Sequence, residues 1–465
     1  MTSFLDRVGA PLDRRLGERP GAWRQRIGLG PFLGLCLLAL VAGVVGVLVV
    51  DNRPYAILVA VTVLALGAAA IDLGIVCAIA VPASLVMLRV GGFLSVADVV
   101  LAGATVVAMV LMSAREAQPM QPLVWLAVLY QAMLVPTLIL NPYTANYVEW
   151  VHEAVLIIGS LMVGWVVGRR GAARLALNIY QLVCCGIGIA AVVAAFAIFA
   201  RTGEFGAVYL PYMHKNFIGN ALAFSFVIAY ARPVWIGWSR STAVTMMAIS
   251  AAGIAASQAR QAIIATVIGA AVVNLRPRVQ SGTRSRLIWF AAIPAVVFVV
   301  NAVNAQLQSG NEWNSANQRI IWFRQSIDIW QESPIFGVGL RWWYTDRFNA
   351  NFQPPNAEFE MLTSGGVVGL LGFLVLFLGA TWVLARMDPI YGTVALAVVI
   401  TRFTQGQFDL YWVAGQSSFL WIVAGIAYGV QARDKALGTT YDLPRRTVSP
   451  WRPPRHGTPL PKVVR

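Results

Sequence analysis

Apolar residues run through this chain in long blocks rather than in strict alternation. Such blocks lie near residues 30 to 50, 55 to 70, 73 to 89, 97 to 113, 121 to 140, 150 to 168, 175 to 200, 216 to 231, 241 to 256, 259 to 275, 286 to 304, 361 to 385, 389 to 404 and 413 to 431. Most approach the ~20 residues with which a helix crosses ~30 Å of hydrocarbon. The pattern predicts an all-α fold, a polytopic transmembrane helical bundle of about 12–14 spans. The pair at 55 to 70 and 73 to 89 is the least regular. Residues 1–29 read as a basic cytoplasmic segment, 30–304 as a transmembrane bundle, 305–360 as one large extracytoplasmic loop, 361–431 as the C-terminal spans and 432–465 as a basic, proline-rich cytoplasmic tail.

The loop is the longest break between apolar blocks, and long loops that persist are usually functional. From Trp313 to Trp330, Ile320, Phe323, Ile327 and Trp330 recur at helical spacing with Arg319, Arg324 and Gln325 on other faces. This spacing predicts an amphipathic helix lying at an interface. Ser333, Pro334, Gly337 and Gly339 then form a turn, followed by Arg341-Trp342-Trp343-Tyr344, Pro354-Pro355-Asn356 and a helix start with Glu358 and Glu360.

Composition narrows the class. Hydrophobic residues make up 58% of the chain and charged residues 12%, against the ~25% charged that is usual in soluble domains. Mean hydropathy is +0.68. A soluble enzyme, a secreted disulfide module and a nucleic-acid binder are excluded. The net charge of +15 is a topology signal. With a cytoplasmic N-terminus, alternate loops fall inside and collect most of the 35 basic residues, as the positive-inside rule expects. Arg53, Arg89, Arg201, Lys215, Arg260, Arg319, Arg324, Arg341, Arg347 and Arg402 remain outside. The chain is therefore expected to be multi-pass in a bacterial cytoplasmic membrane with both termini cytoplasmic, and with the first apolar block as an uncleaved anchor. Cys36, Cys77, Cys184 and Cys185 sit in apolar blocks without a CxxC pair or histidine nearby. We expect neither a disulfide framework nor a metal site from them.

The order Asn317-Gln318-Arg319, Trp322, Ser333-Pro334-Ile335-Phe336-Gly337-Val338-Gly339, Asn356, Gly366 and Gly369 resembles the signature of the O-antigen ligase and polymerase superfamily. Leu94 to Asp98, His214 to Gly219 and Ser257-Gln258-Ala259-Arg260 are similar to further parts of that pattern, so the resemblance spans about residues 90 to 430. It implies transfer of a glycan from a polyprenyl diphosphate carrier to an acceptor hydroxyl of a glycan, lipid or protein at the outer membrane face. No nucleotide sugar, cofactor or metal is implied. The sequence departs from the pattern at Pro355, where the family has the histidine that serves as its base.

Such a reaction needs fixed cations for the diphosphate, a task for which the arginine fork is suited. Arg260, Arg402 and Lys215 are the expected clamp, with Asn216, Arg319, Arg341, Trp342 and Asn356 as further substrate-binding candidates. It also needs a proton acceptor. His456 lies in the inner tail, which leaves Glu360, Glu358 and His214 as the expected catalytic candidates, and Asp409 as a partner for Arg402. The competing readings are a transporter or lipid-linked glycan flippase, or a catalytically silent relative. A transporter would place ionisable groups at mid-membrane.

Overall fold

The computed structural model describes residues 57–441 except 63, 66, 68–71, 92–93, 278–286, 309–314, 349–351, 414 and 440. The basic segment 1–29, the expected span at 30 to 50 and the tail from residue 442 with His456 lie outside the described residues, and the block at 55 to 70 is covered only in part. The protein is an all-α polytopic membrane protein. Among the described residues the only sheet is a short antiparallel pair, β1 (Arg89–Gly91) against β2 (Leu94–Ser95).

The helices are α1 (Leu73–Ala83), α2 (Val96–Leu111), α3 (Gln121–Met133), α4 (Val135–Leu140), α5 (Thr144–Ala154), α6 (Ser160–Arg169), α7 (Ala173–Thr202), α8 (Lys215–Ala231) and α9 (Arg240–Ser257). They continue with α10 (Arg260–Leu275), α11 (Leu287–Gln308), α12 (Ser315–Gln331), α13 (Ala357–Arg386), α14 (Pro389–Gly406) and α15 (Gln416–Leu437). Among the described residues, 4 helical stretches are long and apolar enough to cross a membrane: Gln118–Leu140, Thr144–Arg169, Ala173–Thr202 and Ala357–Arg386. The apolar helices α1, α2 and α10 are shorter.

α5 and α6 form one rod through a wide turn of π-helix at Val155–Gly159. This rod packs along α15, and glycine sets how closely. Gly164 and Gly168 face Gly425 and Gly429, and an added Cβ at any of the four would overlap a carbonyl oxygen of the facing helix, those of Ile422, Ile426, Leu161 and Trp165. Small residues four apart let two backbones approach without side chains between them. We expect Gly425→Val to force the helices apart and destabilise the fold by about 1–3 kcal/mol, the scale of overpacking in a tight core. Thermal unfolding in detergent checks this, with Gly103→Ala as control, because a Cβ there meets nothing within 4 Å.

The expected amphipathic helix at 313 to 330 is α12. Its packed face is set by Trp322, stacked on Phe352 with centroids 5.9 Å apart, and Phe323, stacked on Phe359 at 4.7 Å. Ser326 and Ile329 are buried, whereas Ile320, expected on the apolar stripe, is exposed. Trp322 lies two helical turns before Ile329 and Phe323 one turn before Ser326, so the packed face is turned off the simple stripe.

Candidate active site

The segment after α12 is fastened at three places, and each uses a motif residue. Gly337 (φ +72°) and Gly339 (φ +102°) adopt left-handed backbone that only glycine enters at low cost. Gly366, also left-handed, breaks the helical path inside α13. The two irregular stretches satisfy each other: Val338 N–H donates to Thr363 O (2.9 Å), Gly339 N–H to Ser364 O (3.0 Å), Val367 N–H to Pro334 O (2.9 Å) and Val368 N–H to Ile335 O (3.1 Å). The turn thus supplies the partners that the broken helix lacks.

The second fastening runs to the start of α5. Asn141 Nδ2 donates to Gly337 O (3.2 Å), Tyr143 OH to Leu340 O (2.7 Å) and Leu340 N–H to Asn146 Oδ1 (2.9 Å). The third holds the start of α13. Asn356 caps the helix by accepting from Phe359 N–H (2.9 Å), and its Nδ2 donates to Gln407 O (3.0 Å). Gln407 Nε2 in turn donates to Glu358 Oε1 (2.6 Å).

With the segment held so, Arg341 enters a buried chain of charges. Its Nε lies 2.5 Å from Glu149 Oε2. The same oxygen is 3.0 Å from His152 Nδ1, and His152 Nε2 is 3.1 Å from Asp98 Oδ1. Both ring nitrogens meet carboxylates, and only the doubly protonated ring donates at both. Asp98 is fixed by a capping box at the start of α2, its Oδ2 accepting from Ser95 N–H and Ser95 Oγ at 2.8 Å each. Glu149 and His152 are one turn apart on α5, so they present one face.

A cavity of about 220 Å³ opens on this cluster, lined by Glu149, His152, Arg341, Trp343, Tyr344, Gln353, His214, Asp409, Trp412 and Gln416 among others. Asp409 belongs both to this wall and to a second group of charges. Its carboxylate accepts from Asn216 Nδ2 (3.1 Å), Asn220 Nδ2 (3.4 Å) and Gln261 Nε2 (3.4 Å). Lys215 interacts electrostatically with Arg260, Arg319 and Asp409, and Arg319 with Asp409. Arg260 Nη2 donates to Gln306 Oε1 at 2.7 Å. His214 caps α8: its Nδ1 accepts from Asn216 N–H at 3.2 Å. Burial, aided by Lys215 and opposed by Asp409, holds its imidazole below the ordinary histidine range. The ring is thus neutral at pH 7, with its proton on Nε2 as a donor.

Residues 245–374 match the O-antigen ligase family. The match is the family that the ordered motifs resemble, and it supports an O-antigen ligase-like superfamily for this chain. No curated protein matches the sequence significantly. The O-antigen ligase-like stretch holds Arg260, Arg319, Arg341, Asn356, Glu358, Glu360 and the interlocked glycine motifs. His214, Lys215, Asn216, Arg402 and Asp409 fall outside it.

The structure brings together Lys215, Asn216, Arg260 and Arg319 around Asp409, and His214 and Arg341 in the cavity wall. Other expected residues stand elsewhere. Arg402 is fully buried and donates to the carbonyls of Leu410 and Tyr411 and to the side-chain oxygens of Gln405 and Gln416. It anchors the connection that carries Asp409 and Trp412 to the cavity. Trp342 is buried with Phe348 and Phe352 and donates to Thr363 Oγ1 (3.2 Å), so of this aromatic run it is Trp343 and Tyr344 that join Trp412 in the wall. Glu360 is buried and accepts from Gln353 Nε2 at 2.8 Å, which places it one side chain behind the cavity. The side-chain amide of Asn356 is used at both ends, its oxygen in capping α13 and its nitrogen on Gln407 O. Glu149 and His152 were missed from the sequence, although ionisable residues at the start of an apolar block are a functional signal by default. Among the described residues no group of three or more His, Cys, Asp or Glu could hold a metal ion.

Proposed function

We propose that this protein transfers a glycan from a polyprenyl diphosphate carrier to an acceptor hydroxyl at the outer face of a bacterial cytoplasmic membrane, as a ligase or polymerase of cell-surface polysaccharide. The observation that carries the reading is the junction at Asp409, where a cluster of three cations, Lys215, Arg260 and Arg319, adjoins the cavity. In this scheme the acceptor oxygen forms a bond to the anomeric carbon of the donor sugar. The bond from that carbon to the diphosphate oxygen breaks, and its electron pair leaves with the diphosphate. The cation cluster stabilises the developing charge, an interaction strongest where water is excluded. The hydroxyl proton needs an acceptor within hydrogen-bond reach. Asp409 is best placed, at the boundary of the two subsites. Glu360 acts on the cavity through Gln353, and His214 serves as a donor rather than as a base. Glu358, tied to Gln407, holds the start of α13. Arg402 acts by holding the Asp409 connection, and Arg341 by shaping the cavity.

Cells that lack the protein should accumulate carrier-linked glycan and lose the corresponding surface polysaccharide, and expression of the unmodified chain should restore both. Unchanged carrier-linked glycan in its absence would overturn the reading. The same scheme requires residues 305–360 outside: an alkaline phosphatase fused after Gly310 should be active, and a cytoplasmic readout there would contradict it.

A further inference from the structure

The two charged regions that meet at Asp409 differ in kind. Around Lys215, Arg260 and Arg319 positive charge is in excess, with Asp409 as the carboxylate facing them. In the buried part of the cavity the signs cancel: Arg341 is paired with Glu149, and His152 lies between Glu149 and Asp98, while Arg89 is an exposed residue of the lining. An anion entering here would have to compete with Glu149 for Arg341. We propose that this charge-balanced cavity is a subsite for one uncharged pyranose ring, separate from the anion cluster beside it. The inference rests on the transfer reading above and specifies which part of the glycan the cavity takes.

Size limits the occupant. About 220 Å³ holds roughly seven water molecules at ~30 Å³ each, room for a single sugar ring, and because the cavity is partly open further rings of a glycan would extend beyond it. The wall suits a polyol, which both donates and accepts at every hydroxyl. Glu149 and Asp409 accept, His214 offers its Nε2–H, and Gln353 keeps its amide oxygen outside the bond to Glu360. Trp412 lines the cavity, and its buried indole N–H has no partner among the described residues. Trp343 and Tyr344 add aromatic surface, their rings tilted at 43° with centroids 6.2 Å apart. The C–H faces of a pyranose match such rings, whereas a phosphate has no apolar face to offer. Because the cavity and the cation cluster share Asp409, a sugar seated in the cavity brings its anomeric diphosphate to the cations.

The test uses the full-length protein in lipid nanodiscs and saturation-transfer NMR with three probes: methyl α-glucopyranoside, methyl α-mannopyranoside and methyl glucuronide. At least one uncharged glycoside should receive saturation and the glucuronide should receive less. Trp343→Ala should weaken that signal about fivefold to tenfold, the ratio expected for one lost ring contact, and Trp343→Phe should retain most of it. Equal loss in both variants would mark a folding defect without a ring contact and overturn the assignment. So would preference for the glucuronide, absence of both uncharged signals, or an unchanged signal in Trp343→Ala. Binding is read without transfer, so a failure here is distinct from a failure of the cell-based accumulation test.

Discussion

Arg260→Ala is expected to lower glycan transfer by about 10²–10³-fold, the cost of removing one fixed group that stabilises charge in a transition state. The guanidinium lies beside Lys215 and Arg319 and is oriented by Gln306. Arg260→Lys keeps the charge and loses the planar fork, so it should recover part of the activity only. Steady-state transfer in membranes from cells lacking the native protein measures both, with thermal unfolding to show that the fold is intact. Arg402→Ala makes the contrast. Its guanidinium holds the carbonyls of Leu410 and Tyr411 in a buried site, so its loss should lower the unfolding temperature as well as activity. If Arg260→Ala retains full transfer, the cation cluster is not the diphosphate site.

Asp409→Asn should reduce transfer by about 10²-fold or more, as expected when a general base is removed while shape is kept. The substitution also sets an amide among three amide donors, those of Asn216, Asn220 and Gln261, which costs about 1–3 kcal/mol of stability. The loss of rate must therefore exceed the loss of folded protein. Glu360→Gln should have a smaller effect, because Glu360 meets Gln353 rather than the cavity itself. The reverse order, with Glu360→Gln nearly inactive and Asp409→Asn nearly unaffected, would assign the proton to Glu360. A single-turnover assay with preloaded carrier separates these effects from donor binding.

Much of the helix framework was legible in the chain. The apolar block at 175 to 200 is α7, those at 361 to 385, 389 to 404 and 413 to 431 are α13, α14 and α15, and the amphipathic stretch is α12. The Gly-rich turn and the motif glycines Gly366 and Gly369 were visible because glycine marks backbone that other residues cannot adopt, whereas the break inside α13 was not. Their pairing was not, since a motif says nothing about which distant carbonyls will accept its hydrogen bonds.

Sequence by itself determined the class of molecule, the helix positions and the O-antigen ligase-like resemblance, because burial in hydrocarbon imposes length and composition on each span separately. Only the tertiary structure decided the site. Arg402 and Arg260 have the same side chain at similar places in apolar helices, yet one is spent on buried carbonyls and the other joins Lys215 and Arg319. Trp342 and Trp343 are neighbours, yet one is core and the other faces the cavity. Asp98, the Glu149–His152 pair and Arg341 come from three separate segments and meet only when α2, α5 and the turn at Gly339 are packed together. The physical reason is that a charged group's role depends on which partners share its low-dielectric surroundings, and those partners come from packing between helices rather than from local spacing.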